Sequence, residues 1–302
     1  MKLLAAAFLT LAAVFFFAPD ALADEAKWDT LRNRLKADGF SSVHIDAVFA
    51  QESLRYDPKI MARKMNALLK TKLSQKRKGG PIAPAVIERH LNPVLIAGAY
   101  AFYKDKGDEM AEVVAKYGVP AEILTALLLV ETKLGMQLGK HKALEILSNM
   151  TIGGDFEVIR PHIEMDGVSE EVSAWLVKRT RQKGEWAYAE LKALLQYAEA
   201  SRRDPLTIPS SMYGAIGMCQ FIPTSAVHYG VDGDGDGRVD LFNTVDALHS
   251  TANFVKRHGW KTDLDREGQL KVIYRYNHSR SYALTILAVA DKLRKTIQLF
   301  GG

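Results

Sequence analysis

The chain has 302 residues, 48% of them hydrophobic, a formal net charge of +5 and one cysteine, Cys219. That length permits one large domain or two smaller ones with a core stable without staples, and a single cysteine excludes an internal disulfide. The positive balance favours anionic partners, whether wall polymers, lipid head groups or nucleic acid, and does not choose among them.

Residues 1–23 read as a secretory signal peptide. Lys2 supplies a basic start, residues 3–17 an apolar stretch shorter than a membrane span, and Ala21-Leu22-Ala23 a small-residue cleavage pattern, with Pro19 and Asp20 closing the stretch. No cysteine follows the cleavage point to take a lipoprotein anchor, so the expectation is a soluble exported protein in the periplasm of a bacterial cell envelope. Beyond it most segments carry helical rather than alternating periodicity, and no convincing series of strands emerges, so the fold is expected to be mainly α. Helices are predicted over 26–50 and 57–76, followed by a basic loop, Lys76-Arg77-Lys78-Gly79-Gly80-Pro81. Further helices are predicted near 84–90, 95–103 and 108–117. Gly118-Val119-Pro120 then ends one helix and begins another. Gly135 and Gly139 interrupt that next helix, a short helix covers 143–150, and 151–155 forms a loop. Two amphipathic helices follow at 169–182 and 184–201; Trp186, Tyr188, Leu191, Leu194 and Leu195 on the second read as core. A last helix is predicted at 244–258. The expected division is 24–110, an N-terminal helical region, and 111–302, a catalytic core.

Glu131 closes a strongly apolar helical run, with Leu127 and Leu128 four and three residues before it on the same face. Desolvation there disfavours the ionised carboxyl and makes a proton donor available near neutrality, as a glycosidic general acid requires. The alternative is a carboxylate that reaches solvent or pairs with Lys133, and the pattern by itself leaves both open. The run from Asp232 to Asp240 matches the first nine positions of a calcium loop. Asp232, Asp234 and Asp236 offer carboxylates, Gly237 the sharp turn and Arg238 its backbone carbonyl. Position 12 is Asn243 where the standard loop has glutamate; Asp246, three residues on, is a candidate replacement. A third cluster, Ser211 to Ser225, offers the Ser211 hydroxyl and the Gln220 amide for sugar hydroxyls or an acetamido group. Tyr276, Asn277 and Tyr282 concentrate polar and aromatic groups farther on. His278 has no accompanying Gly-x-Ser-x-Gly elbow and Cys219 no activating neighbour, which argues against nucleophilic hydrolysis.

Taken in order, Gly118-Val-Pro-Ala-Glu-Ile, Val130-Glu131-Thr132, Gly214-Ala-x-Gly-x-x-Gln220-Phe-x-Pro223, the calcium loop and Tyr276-Asn-His-Ser279 resemble the lytic murein transglycosylase B family over roughly residues 110–295. The resemblance implies a lysozyme-like core with an embedded EF-hand-like calcium loop (232–246), and cleavage of the β-1,4 bond between N-acetylmuramic acid and N-acetylglucosamine in peptidoglycan. It implies that Glu131 first protonates the leaving oxygen and then accepts a proton from the muramyl C6 hydroxyl, giving a 1,6-anhydromuramyl end. Ser211, Gln220, Phe221, Tyr276, Asn277 and Tyr282 match substrate-contacting positions. Asp232, Asp234, Asp236, Arg238 through its carbonyl and Asp246 match the calcium ligands, with calcium structural and no organic cofactor.

The sequence departs from the family pattern at Met218, Cys219 and Phe254, and residues 153–176 look like an insertion whose role could be groove length, partner docking or packing. Peptidoglycan strands are the expected partner, with wall-synthesis or division proteins as further candidates. Nucleic acid is not expected, because the cations are scattered along the chain without a recognition motif. Two other readings keep the same groove: a muramidase that uses water, and a noncatalytic wall-binding protein stabilised by calcium.

Overall fold

A computed structural model describes residues 19–51, 54–77 and 83–301. Most of the expected signal segment lies outside the described residues; its expected cleavage point falls within the first helix, α1 (Pro19–Ala37). Packing divides the chain into two units, Met1–Gln51 and Glu52–Gly302. In the first, α1 packs on α2 (Ser42–Phe49). Trp28, Leu31 and Leu35 bury against Ile45, Val48 and Phe49, with the Trp28 and Phe49 rings 5.9 Å apart. The single helix expected over 26–50 is therefore two. A turn at 38–41 separates them, and Ser41 caps α2 by accepting from the His44 N–H.

The regular structure of the second unit is almost all helical, as the periodicity predicts. Its elements are α3 (Pro58–Arg77), a 3-10 turn (Glu88–Leu91), α4 (Pro93–Asp105), α5 (Gly107–Tyr117), α6 (Ala121–Thr132), α7 (Ala143–Ile152), α8 (Phe156–Ile159), a second 3-10 turn (Arg160–His162) and α9 (Glu170–Ala200). Then come α10 (Pro223–Tyr229), α11 (Thr244–Arg257), α12 (Arg266–Asn277) and α13 (Arg280–Phe300). Two short strands, β1 (His141–Lys142) and β2 (Pro209–Ser210), pair antiparallel. α6 sits at the centre, packed by α13, α4, α5 and α11, which is why every residue from Ile123 to Leu129 is buried. Among the described residues no single helix is long and apolar enough to cross a membrane.

Three local expectations are corrected. The segment 84–90 is not a helix: it runs extended before its 3-10 turn, because the Ala85 and Ile87 N–H groups donate to Ser281 Oγ (3.2 Å) and Thr285 Oγ1 (2.9 Å). Two hydroxyls four residues apart on α13 thus replace the i→i−4 partners a helix would supply. The Glu131 helix ends at Thr132, ahead of Gly135 and Gly139. The helices expected at 169–182 and 184–201 are one, α9, of 31 residues. Gly184 does not break it; a Cβ there would lie 2.5 Å from the Gly154 Cα, so the missing side chain lets two backbones meet. Tyr188, Leu191, Leu194 and Leu195 on its later turns are buried, as their spacing predicts. Gly184→Ala should lower stability by about 2 kcal/mol, because the backbone contact must open, although alanine is the better helix former. Denaturant unfolding checks this, and an unchanged midpoint would count against the close approach.

The 153–176 segment has a packing role. Phe156, Ile159, Ile163, Val172 and Leu176 form one core with Ile60, Met61, Met65 and Leu69 of α3. Packing joins α3 to α7, α8 and α9. Lys76 and Arg77 of the expected basic loop end α3, and 78–82 lie outside the described residues.

Candidate active site

Pro120 fixes the entry to α6 by standing immediately before its first helical residue. The exit is unusual: Lys133 (φ 51) and Leu134 (φ 61) both adopt the left-handed region although neither is glycine. Their N–H groups turn back onto Leu129 O and Leu128 O, each at 3.0 Å. Thr132 Oγ1 then donates to Met218 O (2.8 Å) and accepts from the Gly135 N–H (3.0 Å), fastening the helix end to the 211–221 segment. Glu131 is thereby held on a short, doubly anchored turn.

Its carboxyl borders a cleft of about 600 Å³ lined also by Arg89, His90, Asn92, Lys133 and Gln137. One edge reaches the cleft while protein surrounds it on the remaining sides. Burial pushes its pKa up to about 7, opposed by one hydrogen bond in which Tyr282 Oη donates to Glu131 Oε1 at 2.5 Å. The expected desolvation by Leu127 and Leu128, both fully buried, is present. Lys133 forms no ion pair with Glu131 among the described residues; its main chain caps α6 instead.

The other residues singled out from the sequence are brought together in part. Tyr282 touches Glu131 directly. Tyr276 stacks on Tyr282 with centroids 6.3 Å apart and donates to Cys219 O at 2.7 Å. Gln220 and Phe221 line a second hollow of about 270 Å³ with Tyr276, Tyr229 and Phe254. Phe221 is buried in that ring cluster, 5.4 Å from Phe254 and 5.8 Å from Tyr276. Gln220 has φ 49 and donates its amide to Gly217 O (2.9 Å). Gly217 is required where it stands: a Cβ would lie 2.5 Å from that of Leu241, whose carbonyl accepts from the Met218 N–H. Ser211 uses its hydroxyl locally, accepting from Tyr213 N–H (3.3 Å) and Ala215 N–H (3.1 Å). Asn277 is the exposed last residue of α12. Phe254 stacks on His258 at 4.0 Å. Cys219 is fully buried and burial pushes its thiol up to about 12, which leaves no reactive thiolate.

Sequence reasoning missed the wall opposite Glu131. Arg89 and His90 lie on the 3-10 turn, and Asn92 caps α4 by accepting from the Val94 N–H (2.8 Å). Burial, with Arg89 and Lys133 nearby, holds His90 below its ordinary pKa where it borders the cleft. The one local signal was Asn92-Pro93, a helix-start pair that marks the preceding residues as non-helical.

The acidic loop joins α10 to α11. Carboxylate oxygens of Asp232, Asp234 and Asp246 lie within 4.8 Å of one another. Asp246 is buried and accepts from the Gly233 (2.7 Å) and Asp240 (2.6 Å) N–H groups. Asn243, by contrast, caps α11 through Val245 N–H and donates to Asp234 Oδ2 (2.8 Å). Asp236, expected beside the others, is engaged by Arg238 Nε at 2.7 Å. All-oxygen donors of this kind suit a hard divalent cation.

A family model described as the transglycosylase SLT domain matches residues 23–270. The chain belongs to this family. It is 29% identical over 173 residues to the membrane-bound lytic murein transglycosylase B of Escherichia coli (strain K12); the match takes in 57% of this chain and 41% of that protein. The chain thus matches about two fifths of that relative's length. The fold is shared with the Escherichia coli lytic transglycosylase Slt35, solved in complex with calcium, at TM-score 0.66 and 20% identity, covering 89% of this chain and 93% of that one. It is shared equally with SltB3 of Pseudomonas aeruginosa, solved in complex with NAG-anhNAM-pentapeptide, at TM-score 0.66 and 20% identity over 89% of this chain and 79% of that one.

Proposed function

We propose that the chain is a lytic transglycosylase that cleaves the β-1,4 bond between N-acetylmuramic acid and N-acetylglucosamine in peptidoglycan and leaves a 1,6-anhydromuramyl end. One observation carries this reading. Glu131 is the sole carboxyl lining its cleft among the described residues, and it is balanced near neutrality by burial on one side and the Tyr282 hydroxyl on the other. Ordinary glycoside hydrolysis places two carboxyls about 5–9.5 Å apart across the bond; here one group serves both halves. Protonated Glu131 gives its proton to the glycosidic oxygen as the C1–O bond breaks. The muramyl C6 hydroxyl closes on C1, and the Glu131 carboxylate takes the proton that hydroxyl releases. The glutamate ends as it began, protonated, and no water is consumed. Tyr282 holds Oε1, so Oε2 is the oxygen that carries the transferable proton, and its bond makes ionisation midway less costly. Attack from within the same sugar supplies the entropic advantage of an intramolecular step. Gln220, Phe221 and Tyr276 line the second hollow, where they supply contacts to a neighbouring sugar unit; Ser211 and Asn277 lie outside that hollow.

Digestion of purified sacculi with mass analysis tests this: anhydro ends are expected, hydrolysed reducing ends would mean a muramidase, and intact sacculi would mean a noncatalytic binder. Tyr282→Phe removes the bond that lowers the Glu131 pKa, so the pKa rises further. The alkaline limb of the pH–rate profile should move to higher pH while the maximum falls about tenfold to a hundredfold. A profile shifted to lower pH would refute that role.

Calcium is assigned to the loop, held by Asp232, Asp234 and Asp246 with the Arg238 carbonyl, and Asp236 joining once it leaves Arg238. The ion is structural: it fixes the connection between α10, whose neighbours line the second hollow, and α11. Export through residues 1–23 and a periplasmic location complete the proposal; N-terminal sequencing of the protein recovered from the periplasm tests both.

A further inference from the structure

Read linearly the cations are scattered, but folding gathers them. α3 carries seven cations and no acid in 20 residues, more than the net charge of +5 of the whole chain. α9 packs along it, and between them lies a hollow of about 410 Å³ floored by Leu68 and Trp175 and rimmed by Lys178, Arg179 and Gln182. Lys72 extends over the Trp175 ring, with Nζ 5.0 Å from its centroid, and so brings a third cation to the same place. Gln182 Oε1 accepts from Arg179 Nη1 (3.1 Å) and orients the guanidinium. Among the described residues none of Lys72, Lys178 and Arg179 forms an ion pair. Close by, Lys64 is held below its ordinary pKa by burial and then by Arg179, a sign that like charges are crowded without a counter-charge.

The face is poorly suited to a bilayer, which needs apolar anchors. Val177 is the one large hydrophobic residue of α3 and α9 that is exposed among the described residues, and Trp175 is half-buried beneath Lys72. A concave site with one oriented guanidinium and two ammonium groups instead matches a compact, multiply charged oxyanion. Lys64 and Lys183, each of which feels Arg179, continue the positive charge beyond the hollow and match its repetition along a chain. We propose that the α3–α9 face docks a linear phosphate-bearing polymer, with one phosphate seated between Lys72, Lys178 and Arg179. This goes beyond the transglycosylase reading and does not depend on it.

The test is binding of the full chain to fluorescently labelled long-chain inorganic polyphosphate, followed by anisotropy over a range of salt concentrations. Saturable binding is expected, weakened at least about tenfold in K72Q/K178Q/R179Q. The slope of log Kd against log salt should fall by about 2 to 3 in that variant, as three ion contacts are lost. K104Q/K261Q/K271Q makes the same change in net charge at exposed sites elsewhere and should leave binding nearly unchanged. Thermal melting establishes that each variant is folded; if the triple variant melts early, K178Q and R179Q are compared singly. No saturable binding, or equal weakening in both triple variants, would overturn the site. Equal binding of poly-glutamate would overturn the preference for phosphate. Capture by anionic vesicles but not by polyphosphate, with the same dependence on Lys178 and Arg179, would replace the polymer with a membrane surface.

Discussion

Glu131→Gln should reduce release of anhydromuropeptides from sacculi by about 10³-fold or more while making the protein more stable at neutral and alkaline pH. The first effect follows from the double role, because the amide can neither donate the first proton nor accept the second, and general acid–base terms are typically worth 10²- to 10⁴-fold each way. The second effect follows from the cause of the raised pKa. Glu131 has an ordinary value of 4.5 and is pushed up to about 7 in the fold, chiefly by burial. Over that interval the folded state holds the proton that the unfolded state has released, so stability falls as pH rises from about 4.5 through about 7 and stays reduced above it. The neutral isostere escapes this cost. The gain should be on the order of 3 kcal/mol at pH 8 and vanish below pH 4.5. Denaturant unfolding of both proteins across pH measures it. Equal stability at pH 8 would mean that the ionised carboxylate is well solvated, and with it would go the argument for a proton donor at neutrality.

Asp246→Ala should be the most damaging substitution in the acidic loop. It removes a buried carboxylate that accepts from the Gly233 and Asp240 N–H groups, leaving both amides to find other partners, and it takes away one of three clustered oxygen donors. A loss of about 2–4 kcal/mol is expected. The variant should also lose the rise in melting temperature that calcium gives the wild type, since a ligand stabilises a fold only through the site it occupies. Asn243→Ala supplies the contrast. It removes mainly a helix cap, at about 1 kcal/mol, and should keep the calcium response. If calcium stabilises Asp246→Ala as much as wild type, or fails to stabilise the wild type, the ion does not belong in this loop.

The two candidate sites were legible in the sequence to different depths. The acidic loop follows from short-range chemistry: aspartates at alternate positions and glycine at the sharp turn are a local pattern. Even the choice of Asp246 over Asn243 was open to sequence reasoning. What sequence could not supply was that Asn243 is already spent as a cap and that Asp236 is turned toward Arg238. Glu131 was visible as a carboxylate on an apolar helix, with solvent and Lys133 as competing destinations. The structure adds a partner that neither reading named: Tyr282, 151 positions away, whose hydroxyl meets it across the α6–α13 contact.

Periodicity failed where partners are distant. The stretch 84–90 has the composition of a helix, yet hydroxyls of α13 capture the Ala85 and Ile87 amides and hold its first half extended. Gly184 stands where two helices are expected to meet, yet α9 runs through it, and its missing side chain lets the helix touch Gly154. The sequence by itself determined the helical class, the α6 run that buries Glu131, and the acidic loop, because each depends on side chains within a few turns of one another. The tertiary structure alone decided which hydroxyl tempers Glu131, that Arg89 and His90 wall its cleft, and that Lys72 of α3 meets Lys178 and Arg179 of α9. Those outcomes depend on packing between segments far apart in the chain, and no local pattern encodes that geometry.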